Sequence, residues 1–216
     1  NVLYVICLLA CILFLYFILR KPFRISQLFR APKAMPSAVA LPVFLGTTIV
    51  ASGVVGLLQY ALSRFGLVPL TPDFSAPEGD TAAFLIYAFC ITILPAFWEE
   101  LVFRGIVMTP LRPFGDTVAL VMSSLLFALA HGNLSQSVNA FILAMVMGYF
   151  VLRTGSLWTG IILHFINNFI VLMLPFMLSG LSDQAATVAN LIISAAFLAV
   201  GILAVVLFSL KDKNAF

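Results

Sequence analysis

From residue 2 to residue 210 the chain is a succession of apolar runs, divided by short loops that carry proline, glycine and most of the charge. Seven of the runs read as bilayer-crossing helices, which need about 20 residues: 2–19, 39–62, 81–111, 157–178 and 186–210, with 117–130 and 138–152 as the shorter ones. The expected fold is therefore all-α, a polytopic transmembrane helix bundle of about seven spans. An eighth would come from interfacial helices or from a segment before Asn1, since the chain opens on asparagine rather than methionine. Charged residues make up 9%, against about 25% in soluble domains. No loop is long enough to fold alone, so residues 1–216 read as one multi-pass membrane domain. The first run is followed by its charges, whereas a signal peptide is preceded by them. The net charge of +3 lies in loops and does not point to nucleic acid. Cys7, Cys11 and Cys90 fall inside apolar runs and read as small core hydrophobes.

Charge asymmetry orients the chain. With the N-terminus outside and the C-terminus cytoplasmic, ten of the eleven Lys and Arg residues fall on or near the cytoplasmic side, and only Arg64 is left outside. That is the positive-inside arrangement. The expected location is a cell membrane, with lipids as the first partners.

One run departs from the pattern. Residues 95–105 read PAFWEELVFRG and place Glu99, Glu100 and Arg104 in an otherwise apolar segment. Each such group costs roughly 2.5–3.5 kcal/mol on insertion scales and marks a functional site by default. Glu100 and Arg104 are four apart with the acid first, the favourable order for a helical ion pair. Glu99 is rotated about 100° away and is free to face other partners. The run of about 30 residues is too long for an upright span, so tilt or a kink near Pro95 is expected.

Both histidines of the chain lie in or at the end of later runs, His131 and His164, and Asn168 shares a helical face with His164. At 1.5 Å per residue from the cytoplasmic turns, Glu99, His131, His164 and Asn168 stand at roughly 18, 24, 14 and 20 Å. Tilt can absorb that spread. Taken singly, each has a plain reading: a structural ion pair for Glu100 and Arg104, a helix-end cap for His131, and interhelical glue for the asparagines, the role preferred for Asn167. Trp98 and Trp158 read as packing and interfacial anchors. Ser52 and Gly56 have the small-xxx-small spacing of a close helix contact, Asp116 is well placed to cap the run that follows it, and HGNLSQS from His131 reads as a polar corner. Taken together, a carboxylate, two histidines and an amide at one depth favour a functional site.

The motifs EELVFR, FALAH and HFINN, in this order and spacing, resemble the EExxxR, FxxxH and HxxxN motifs of the CAAX-protease and bacteriocin-processing (CPBP) family of intramembrane proteases. The likeness runs from about Trp98 to Asn168, within a catalytic core region at about 81–178, and looks similar to compact bacterial members. It implies an intramembrane endopeptidase that hydrolyses a membrane-associated, hydrophobic or lipidated peptide. In that reading Glu99 and His131 activate water, His164 and Asn168 stabilise the oxyanion, and Glu100 with Arg104 braces the site. Glu99, His131 and His164 are also candidate zinc ligands. Without an HExxH motif a metal-free mechanism is the preferred expectation. Two other classes compete: a non-catalytic bacteriocin-immunity or scaffold membrane protein, and a proton-coupled transporter. Against the transporter, no inverted repeat is evident in the sequence.

Overall fold

Proline at position 95 cannot supply a helical N–H and crowds the preceding turn, and the third run bends its hydrogen-bond pattern around it. In the computed structural model, which describes residues 28–68 and 79–212, this run is a single helical element broken by two π-helical stretches. The described residues form six helices and no strand: α1 (Ala34–Ser63), α2 (Thr81–Phe114), α3 (Asp116–Ala130), α4 (Leu134–Thr154), α5 (Leu157–Leu178) and α6 (Asp183–Lys211). All but α3 are long and apolar enough to cross a membrane. The expected span at 2–19, with Cys7 and Cys11, lies outside the described residues.

Sequence chemistry sets the helix ends. Asp80 Oδ1 accepts from the N–H groups of Ala82 (2.9 Å) and Ala83 (3.2 Å) to start α2. Asn133 Oδ1 accepts from Gln136 N–H (3.1 Å) to start α4, which draws half of the expected polar corner after His131 into the helix. Gly155 closes α4 at φ +70°, where a β-carbon would be strained. Asp116, a natural cap by sequence, does not cap α3. Gly115 holds that position at φ +113°, and Asp116 accepts from Arg112 Nε at 2.8 Å instead.

The layers follow from where side chains are small or apolar. α1 packs against α6 and α4, α3 against α4, and α2 against α3 and α5. Gly46 of α1 and Gly201 of α6 let two backbones come close: a β-carbon on Gly46 would lie 2.8 Å from Gly201 Cα. The expected contact at Ser52 and Gly56 is not made within the described residues, for both are exposed and nothing lies within 4 Å of a β-carbon on Gly56. The buried core runs through Phe44, Phe103, Phe127, Met147, Phe150 and Phe208. Large apolar residues such as Leu57, Ile86, Leu129 and Leu191 face outward, as a helix in lipid requires. Cys90 also faces outward and is not a core residue.

One end of the bundle gathers the basic loops. Lys33 N–H donates to Thr154 O (3.1 Å), Leu157 N–H to Leu28 O (2.8 Å), and Ser156 Oγ to Arg30 O (2.6 Å). Arg153 pairs there with Asp212. The segment before α1, the α4–α5 turn and the end of α6 thus lie together. Arg104, counted with the cytoplasmic charges by sequence, is 1% exposed and belongs to the interior instead.

Candidate active site

The two π-helical stretches of α2, Phe89–Ile93 and Leu101–Met108, flank the short α-helical segment Leu94–Glu100 that carries both glutamates. Extra residues of this kind are often found at functional sites. Two hydroxyls meet carbonyls in the second stretch: Ser123 Oγ donates to Phe103 O (2.7 Å) and Thr109 Oγ to Arg104 O (3.1 Å).

Glu100 is fully buried, and its partners come from two helices. Arg104 NH1 stands 2.9 Å from Oε1, an ion pair by charge and distance rather than by hydrogen-bond alignment. His164 Nδ1, from α5, lies 3.2 Å from the same oxygen. Arg104 NH2 donates to Ala144 O of α4 at 3.2 Å. The local pair expected from the sequence is present. The histidine joined to it is not something helical spacing could give. Glu99, one residue earlier, is only half-buried.

His131 ends α3, and its Nδ1 lies 2.9 Å from Phe127 O. A carbonyl only accepts, so Nδ1 carries the hydrogen and Nε2 presents a lone pair. Phe127 joins the parts of the site. Its ring lies 5.0 Å from the His131 ring, 5.7 Å from the His164 ring and 5.2 Å from the Phe103 ring. The Arg104 guanidinium sits 4.6 Å above its face. The structure therefore brings His131, His164, Glu100 and Arg104 together around one aromatic ring. Asn168 lies one helical turn beyond His164, where Nδ2 donates to Ile91 O of α2 (3.1 Å) and Oδ1 accepts from Asn167 Nδ2 (3.1 Å).

Residues 81–170, which include Glu99, Glu100, Arg104, His131, His164 and Asn168, match the family model described as type II CAAX prenyl endopeptidase Rce1-like. The core of the chain is thus similar to CAAX-type endopeptidases. No curated protein and no solved structure matches the chain. That similarity supports protease activity.

Two residues of this core were not singled out by sequence. Phe127 was visible as the first residue of FALAH, but its contacts were not. Gly160 stands four residues before His164, and a β-carbon on it would run into Glu100 Oε2. The signal available was its spacing, which puts it on the His164 face. The candidate zinc ligands behave differently. Among the described residues no three His, Cys, Asp or Glu side chains are gathered closely enough to hold a metal ion. Glu99, His131 and His164 do not form a ligand set in this structure.

Proposed function

We propose that the protein is an intramembrane endopeptidase acting on a hydrophobic or lipidated peptide. The gathering of His131, His164 and the Glu100–Arg104 pair around Phe127 supports this reading more than any other observation. Glu99 and His131 take a proton from water, and the resulting hydroxide adds to the scissile carbonyl carbon. The oxyanion receives N–H bonds from His164 and Asn168. Collapse breaks the C–N bond, and the abstracted proton leaves on the amine, giving a carboxylic acid, which then ionises to water, and a free amine. Removing a general base costs typically 10²–10⁴-fold, and removing an oxyanion donor about 10²–10³-fold.

Glu100 carries the orienting role. With Nδ1–H directed at its carboxylate, His164 presents Nε2 to the site, and donation from Nε2 requires the imidazolium form. No step is routed through zinc, because the three candidate ligands are not gathered. The orientation goes with this reading: N-terminus outside, C-terminus cytoplasmic.

The test uses the full chain in proteoliposomes with a panel of quenched fluorescent peptides, membrane-anchored and prenylated. Cleavage that Glu99→Ala and His131→Ala abolish supports the protease. Absence of cleavage together with proton flux lost in the same variants supports a transporter. Peptide binding without turnover supports the scaffold. Stoichiometric zinc lost in step with activity would overturn the metal-free step.

A further inference from the structure

An α-helix through residues 91–95 would bond the N–H of residue 95 to the Ile91 carbonyl. Pro95 has no N–H, and the Ile91 oxygen instead accepts from Asn168 Nδ2 of α5 at 3.1 Å. Because a carbonyl only accepts, this contact fixes which end of the Asn168 carboxamide is nitrogen. The other end, Oδ1, accepts from Asn167 Nδ2 at 3.1 Å. Ile91 lies at the edge of the π-helical stretch Phe89–Ile93, and Pro95 removes the donor that an α-helical pattern would bring to its oxygen; Asn168 is thus held at both ends, by Ile91 O and by its own neighbour in the chain.

We infer that Pro95 and Asn167 are positioning residues for Asn168. The inference rests on the proposed role of Asn168 as an oxyanion donor. A carboxamide nitrogen has two hydrogens; Ile91 O takes one and thereby fixes the direction of the second. Donors aimed before the reaction begins stabilise a developing oxyanion without reorganisation, and a supporting shell of hydrogen bonds is what holds such a donor to the needed precision. A residue with an N–H at position 95 would let the helix bond Ile91 O itself and compete with Asn168 for it. An apolar residue at 167 would let the Asn168 carboxamide turn over.

The variants are Pro95→Ala and Asn167→Leu in the full chain, reconstituted in lipid. The substrate is a quenched fluorescent peptide with a farnesylated cysteine three residues from its carboxyl end. Both variants are expected to lower kcat by about 10-fold or more, since a misplacement of ~1 Å can cost about 100-fold. KM should stay within about twofold and Tm should not fall, because proline is the least favourable helix residue and leucine is welcome in lipid. A drop in kcat only in step with Tm, or no drop in either variant, overturns the inference. A second readout needs no turnover. In protein labelled with ¹⁵N-asparagine, the side-chain amide of residue 168, assigned by its loss in Asn168→Leu, should show one slowly exchanging hydrogen. That protection should disappear in Pro95→Ala; unchanged protection overturns the inference. If the wild type cleaves nothing, the proposed function fails, and the amide exchange still decides whether Pro95 sets the Asn168 bond.

Discussion

Gly160 of α5 faces the Glu100 carboxylate of α2 so closely that a β-carbon on it would overlap Oε2, and it would also stand 2.9 Å from Val151 Cγ2. Hydrogen in place of a side chain is what lets α5 bring His164 to Glu100. In an exposed helix, Gly→Ala adds roughly 1 kcal/mol of stability. Here overpacking of about 1–3 kcal/mol opposes it. Gly160→Ala should therefore lower Tm and reduce peptide cleavage, measured on the same preparation. A more stable variant with full activity would show that the two helices are not in this register.

The Glu100–Arg104 pair lies where solvent cannot screen it, at 0% and 0% side-chain exposure. Removing one partner leaves an uncompensated charge and costs about 3–5 kcal/mol. Arg104→Met should unfold the protein at markedly lower temperature. Adding Glu100→Gln to Arg104→Met should recover part of that loss, since the buried charge is removed with its partner. Strictly additive losses in the double variant would contradict a coupled pair.

Phe127 is 3% exposed and touches both histidine rings and Arg104. Phe127→Ala should cost about 3–5 kcal/mol by cavity formation. Phe127→Leu should cost less in Tm but still impair turnover, because the flat ring between the histidines is lost. Equal activity in Phe127→Leu would reduce its role to filling volume.

Two glycines on α1 have opposite expectations. A β-carbon on Gly46 would meet the Gly201 backbone at 2.8 Å, which cannot give way as a side chain can, whereas Gly56 has nothing within 4 Å. Gly46→Ala should separate α1 from α6 and lower Tm. Gly56→Ala should leave Tm unchanged or raise it by the gain in helix propensity, roughly 1 kcal/mol. Thermal melts of the two variants in one detergent compare them directly.

Much of this bundle was legible because the bilayer imposes its own ruler on sequence. Apolar runs announced the six described helices, five of them long enough to span it, and the Glu100–Arg104 pair followed from a four-residue spacing. Near Pro95, where tilt or a kink was expected, the helix changes its hydrogen-bond pattern to π-helical stretches on either side of Leu94–Glu100. Errors arose where a local signal had two uses. Asp116 could cap a helix or pair with Arg112, and the ion pair prevailed. Ser52 and Gly56 offered a smooth face, but the close approach was made one face round and lower, at Gly46.

Sequence by itself determined the membrane class, the helix order and the three motifs with the family they resemble. Tertiary structure decided which residues meet. The bond between His164 and Glu100, the ring of Phe127 between two histidines, and the Asn168 bond to Ile91 O each join residues on different helices. Helical periodicity says which residues share a face. It does not say how far each helix is rotated about its axis or which neighbour that face meets. Those choices rest on packing: glycine where backbones or a carboxylate must come close, and proline where a carbonyl must be left for another helix to bond.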